Sequence, residues 1–276
     1  MTDALPVADP QLIELAETWH RACADFVALV RDLTPEEAGL PTDLEGWDVR
    51  ANVAHTAHLE AVLAGGPEET IEVAEAPHLR GLANYYTEQG VLARRDHDLP
   101  ALAEEIEQAV AARYAEMLAD PPTDPAATPP RTPGGVGWST LTLLHNRPLD
   151  VWMHEQDIRR ATGRPGGFDT PVAEHVIGAF GAALPMVVGK RLAPPPGTTI
   201  RLVVPDAGRD WTVVVGDDGR ARTGEGSEDA DVTVTLSAED YVVLSGGRRG
   251  VEATSPEISG DEELGRRLLE VLAVTP

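Results

Sequence analysis

A chain of 276 residues exceeds the usual size of one domain, so two compact units, each able to bury a core, are expected. Apolar residues make up 42%, which fits a globular protein, and no apolar run approaches the roughly 18 residues of a membrane span. The formal net charge of −24 repels phosphate backbones and anionic lipid, so nucleic-acid and membrane partners are not expected; the clustered pair Arg248 and Arg249 is too small a basic patch to reverse that.

The first residues, MTDALPVADPQ, carry neither a basic start nor an apolar stretch, and the protein is read as cytosolic. Lys190 is the only lysine among many arginines, a bias of GC-rich genomes. Residues 10–33 place Leu12, Leu15, Trp19, Cys23, Phe26, Val30 and Leu33 at the spacing of one helix face. Cys23 is the only cysteine, which excludes an internal disulfide and a thiolate metal cluster. On that apolar face, with no basic residue adjoining it to depress its pKa, it reads as a core filler and not as a nucleophile.

LTPEEAGLPTDLEG is a turn-rich connection, and a second helix runs from near Asp48 to Leu63, where Gly65 and Gly66 stop it. Segments near 77–95 and 100–119 are helical by composition, whereas PPTDPAATPPRTPGGVG at 121–137 is loop. A further helix from about Ser139 to Ala161 ends at the Gly163 to Gly167 cluster. The first 165 residues are thus nearly all helix, enough for a bundle whose core hosts a site.

The pattern then changes. After a helix at about 171–189, Thr199 to Val204 and Trp211 to Val215 read as short strands joined by a turn at Pro205 to Arg209. DVTVTL at 231–236 alternates, with Val232, Val234 and Leu236 on one face, and helices near 237–245 and 260–273 complete a small α+β domain. The expected division is residues 1–168, a four-helix bundle, and 169–276, an α+β domain.

Three side chains are candidates for chemistry. His55 lies mid-helix, and Asp150 and His154 lie four apart, a step that turns a helical side chain by only about 40° and puts both on one face. Leu149, Val151, Trp152, Met153 and Ile158 surround the pair with apolar sequence, where a carboxylate and an imidazole need a metal or hydrogen bonds. Two imidazoles and one carboxylate suit zinc with an open position, and also non-haem iron. The same residues fit a plainer reading, in which His154 bonds Asp150 or Glu155 at the surface and a backbone carbonyl satisfies His55. His58, three residues after His55, competes as third ligand. Asp157 either orients His154 or pairs with Arg160 or Arg164 in solvent. Gly246-Gly247 followed by Arg248-Arg249 is either an anion site or a solvated turn. GxSxG, GxGxxG, Walker and HExxH patterns are absent.

Read together, LEGWDVRANVAHTAHL at 44–59, RPLDVWMHEQDIRRATGRP at 147–165 and ADVTVTLSAEDYVVLSGGRR near the end resemble the mycothiol-dependent maleylpyruvate isomerase family, a branch of the DinB-like metal-binding bundles. The first segment carries the family's tryptophan-to-histidine motif in Trp47 and His55, and the last is similar to its sterol-carrier-like domain. The resemblance implies metal ligands at His55, Asp150 and His154, with aspartate where the isomerases usually carry glutamate.

It also implies a divalent metal, zinc first, with mycothiol as thiol cofactor, in a cytoplasmic, actinobacterial, monomeric or homodimeric enzyme. A metal deprotonates a bound thiol, and the thiolate can add to an activated double bond, permit rotation and leave, or stay attached as in an S-transferase. The expected substrate is a small electrophilic anion. Arg248 and Arg249 are the candidate catalytic cations of a C-terminal domain expected to roof the pocket. The alternatives are a metal-dependent hydrolase and a non-catalytic binding module.

Overall fold

The computed structural model describes residues 8–226 and 229–275. It divides into two compact units, Met1–Gly167 and Phe168–Pro276. Among the described residues of the first unit, the α-helices are α1 (Pro10–Arg31), α2 (Val49–Leu63), α3 (Leu82–Ala93), α4 (Leu99–Ala119) and α5 (Thr140–Thr162).

Each long helix starts where a side chain caps its free N–H groups. Asp9 accepts from Gln11 and Leu12, Asp48 from Ala51, Asp98 from Ala101 and Ser139 from Thr142. Gly163 closes α5 at φ 65°, a left-handed conformation that suits glycine. α1 and α2 each pack on both α4 and α5, making a four-helix bundle, and α3 leans on α2. The bundle core contains Leu12, Trp19, Phe26, Val53, Leu102, Ile106, Val151, Trp152 and Ile158, each at most 1% exposed. The expected bundle is therefore present, with α3 as an addition. That helix starts at Leu82, later than composition suggested, because the residues ahead of it, through Pro77 and Gly81, run without regular structure.

The second unit begins with α6 (Pro171–Met186), which continues as a π-helical stretch to Leu192. Contrary to expectation from the sequence, Pro171–Leu192 is long and apolar enough by length and composition to cross a membrane. Half of its most apolar stretch is buried in the fold, as in a core helix, with Val172, Val176, Ile177, Phe180 and Leu184 facing inward. The sheet follows as β1 (Thr199–Val204), β2 (Arg209–Val215), β3 (Ala221–Gly224), β4 (Val232–Thr235), α7 (Ala238–Ser245), β5 (Glu257–Gly260) and α8 (Glu262–Glu270). The strand order is β3-β2-β1-β4-β5, with β1 parallel to β4 and the other pairs antiparallel.

Val232, Val234 and Leu236 are buried on one face as the alternation required. β3 and β5 are the edge strands, and their sequences, ARTG and EISG, do not alternate apolar with polar because neither buries a full face. That absence of pattern is why they escape a reading by periodicity. Gly181 of α6 packs against Trp211, where a Cβ would stand 2.2 Å from the indole.

Candidate metal centre

α2 is buried on nearly every side, and its buried residues include Asn52, His55, Thr56, His58 and Glu60, none more than 4% exposed. So many polar groups in a core helix need partners, and α5 answers them with buried Arg147, His154, Glu155, Gln156 and Asp157. The candidate site forms where these two polar stripes meet.

Ligand atoms of His55, Asp150 and His154 all lie within 4.8 Å of one another. His55 Nε2 is 3.6 Å from Asp150 Oδ2, and His154 Nε2 is 3.7 Å from Asp150 Oδ1. Ligands about 2.1 Å from a tetrahedral ion stand about 3.4 Å apart, so these separations are close to what a small divalent ion requires. The imidazoles are buried, with side chains 5% and 7% exposed, whereas Asp150 is 32% exposed, so the cluster opens toward solvent on its carboxylate side.

Each ring is held from behind or above. Asn52 donates through Nδ2 to Thr42 Oγ1 and to the Asp48 carbonyl, which points its Oδ1 at His154 Nδ1, 2.8 Å away. His154 Nδ1 is thereby the donor, and its Nε2 lone pair faces the cluster. Asp157 is wholly buried, with Oδ2 3.5 Å from the same Nδ1 and Oδ1 accepting from Arg160, which also donates to Asp43. Asp157 thus combines the two roles considered for it, facing His154 and pairing with Arg160, but in the interior. Trp47 lies against both rings, 5.0 Å from the His55 centroid and 5.9 Å from that of His154, and its indole donates to Glu88.

The electrostatics follow from burial and from these neighbours. Burial pushes the His55 imidazole down to about 4, so it is neutral and its nitrogen available. For His154 burial also opposes charge, but hydrogen bonds to Asp150 and Asp157 override it and leave the pKa raised. Asp150 is disfavoured as an anion by burial, yet the Arg147 guanidinium beside it holds its carboxyl well below the usual carboxylate range. Two imidazole nitrogens and an ionised carboxylate converge, and His55 Nδ1 is buried without a hydrogen-bond partner among the described residues. This donor set fits a divalent metal.

Residues 19–159, just over half of the chain, match the family model of the mycothiol maleylpyruvate isomerase N-terminal domain. The chain belongs to this family. Among solved structures it is similar to the crystal structure of the mycothiol-dependent maleylpyruvate isomerase, at 17% identity and TM-score 0.56, covering 89% of this chain and 92% of that one. A histidine-to-alanine mutant of that isomerase matches over the same extents at 17% identity and TM-score 0.54. Likeness at this identity shows a shared fold. A ubiquinone synthesis protein, UbiJ-SCP2, matches 37% of this chain and 96% of that one at 16% identity and TM-score 0.28, too distant to support an argument. No curated protein matches.

In this member of the family His58 is not in the cluster. One turn on from His55, it faces α3, with its ring 5.4 Å from that of Tyr86 and so close to Gly90 that a Cβ there would stand 2.2 Å from it. Cys23 is buried, and burial followed by the charge of Glu60 raises its thiol pKa well above the ordinary value, so it stays protonated. Arg248 and Arg249 lie in the turn after α7 in the second unit, and Arg248 donates to the Gly246 carbonyl at 2.8 Å.

Sequence reasoning missed Asn52, Glu60 and Arg147. A signal existed for each: Asn52 and Arg147 stand three residues before His55 and Asp150, on the same helical faces, and Glu60 interrupts an apolar run in α2.

Proposed function

We propose that this protein is a metal-dependent enzyme that uses a low-molecular-weight thiol, mycothiol, for cis–trans isomerisation or S-transfer on a small electrophilic anion. The observation that carries this reading is the convergence of His55, Asp150 and His154 at a half-open position in a chain of the maleylpyruvate isomerase family. These three side chains would hold the metal, zinc in the first instance. A divalent ion bound there supplies Lewis acidity and keeps a coordinated thiol ionised at neutral pH.

The chain's own residues prepare the site. Asn52 fixes the tautomer of His154, Arg147 keeps Asp150 ionised, and Trp47 covers the two rings and limits water. The sulfur comes from a separate molecule, because the only cysteine is buried and held as a thiol. Arg248 and Arg249 are proposed to bind the carboxylate of the substrate.

The test joins metal content to thiol dependence. Wild type is expected to hold one divalent ion per chain, His154→Ala to lose it with the fold intact, and product to form only when mycothiol is added. Stoichiometric metal in His154→Ala refutes the ligand set. Equal product formation without thiol replaces the reading with metal-assisted hydrolysis.

A further inference from the structure

Behind Asp150 runs a line of buried charges that the three ligands do not explain. Glu60 is wholly buried and Arg147 is 2% exposed. Arg147 donates through Nε and Nη2 to Glu60 Oε1, at 3.1 and 2.6 Å, and through Nη1 to Asp150 Oδ2 at 2.8 Å. Its planar fork is thus shared between two carboxylates, one in the core and one at the site.

Glu60 is itself fixed. Trp19 Nε1 donates to Oε1 at 3.1 Å, Arg113 Nη1 stands 3.4 Å from Oε2, and the Arg113 guanidinium lies 4.4 Å over the Trp19 ring. Arg147 therefore cannot swing away from Asp150 without abandoning Glu60. Nor does it reach solvent far enough to bind substrate.

Replacing a buried ion pair with apolar residues of similar volume is often neutral or stabilising, so stability alone is a weak reason for these charges. Asp150 supplies a better one. With its side chain 32% exposed, packing alone does not fix its rotamer, and a free carboxylate beside an ion can bind through one oxygen or two. Here Oδ2 accepts from Arg147 at 2.8 Å, closer than its 3.6 Å to His55 Nε2, while Oδ1 stands 3.7 Å from His154 Nε2.

We propose that Arg147, seated on Glu60, is the positioning residue that makes Asp150 a single-oxygen ligand. Holding one oxygen leaves positions on the ion for outside molecules. This inference rests on the metal-centre reading above, and its test separates the two.

The Co(II) form reports both affinity, by competition with a chelator, and coordination number, by the strength of its visible d–d bands. The double variant Glu60→Gln/Arg147→Met removes one charge of each sign and leaves the net charge unchanged, while Arg147→Lys keeps the cation and loses the fork. Arg113→Met is the control, since it touches Glu60 but not Asp150. Wild type is expected to bind one Co(II) per chain with strong visible bands. The double variant and Arg147→Lys should still bind one, about ten- to hundredfold more weakly, with weaker bands as the carboxylate binds through both oxygens and coordination number rises. Arg113→Met should lower Tm and leave affinity and bands as in wild type.

Unchanged bands and an affinity within about threefold of wild type, in whichever of the double variant and Arg147→Lys has a native circular dichroism spectrum, overturn the proposal. So does a change of the same size in Arg113→Met, which would make the charge line merely structural. A wild type without stoichiometric Co(II) overturns the metal reading and this inference with it.

Discussion

Replacing His58 with leucine should remove about 2 kcal/mol of the acid sensitivity of the helical unit between pH 7 and pH 5. Both His58 ring nitrogens are buried without a hydrogen-bond partner among the described residues, and burial followed by the charge of Arg94 pushes the imidazole from 6.5 down to about 4. The folded pKa is lower than the unfolded one. As pH falls the unfolded chain takes up the proton first, so stability present above 6.5 is lost progressively down to about 4. Between pH 7 and pH 5 the loss from this one group is about 2 kcal/mol, from about 1.4 kcal/mol per pKa unit.

At pH 7 His58→Leu should be neutral or stabilising by about 1 kcal/mol, because it removes two buried polar atoms that bond to nothing. At pH 5 the variant should lead wild type by a further 2 kcal/mol or so. Urea denaturation of the chelator-treated proteins at the two pH values reads the difference, and His55 and His154, common to both, cancel. Metal content should not change, since His58 lies outside the cluster. Parallel losses of stability in the two proteins would refute the assigned burial of His58, and loss of metal would return it to the ligand set.

Four further outcomes are expected. Asn52→Leu, which deprives His154 Nδ1 of its 2.8 Å partner, should weaken metal binding about ten- to hundredfold in chelator competition. Cys23→Ala should keep full metal content and thiol-dependent activity while lowering stability by about 1 kcal/mol in urea titrations; loss of activity would restore the cysteine as a nucleophile. Gly90→Ala should destabilise the helical unit by about 1–3 kcal/mol, because the new methyl meets the His58 ring, and His58→Ala should relieve most of that cost in the double variant. Arg248→Ala and Arg249→Ala should raise KM for an anionic substrate with metal content unchanged, and unaltered kinetics would remove both from the proposed machinery.

Much of this protein is legible one segment at a time. The one-face spacing from Leu12 to Val30, the i,i+4 pair Asp150 and His154, and the alternation of Val232, Val234 and Leu236 are local periodicities, fixed by helix and strand geometry whatever the rest of the chain does. They were enough for a helical bundle, an α+β unit and one face of a candidate site. Edge strands β3 and β5 stayed hidden because they owe their existence to partners in β2 and β4, not to a pattern of their own.

The interior assignments needed the fold. Which way a histidine faces depends on the helix packed against it: His55 meets α5 while His58, three residues on, meets Gly90 of α3. Asn52 and His154 are 102 residues apart, and Glu60 and Arg147 are 87 apart, separations at which no spacing rule operates. Those contacts exist because α2 and α5 bury their polar stripes against each other, where every unpaired group is costly. The sequence determined which residues can ligate a metal, and the tertiary structure decided which of them converge and what holds each in place.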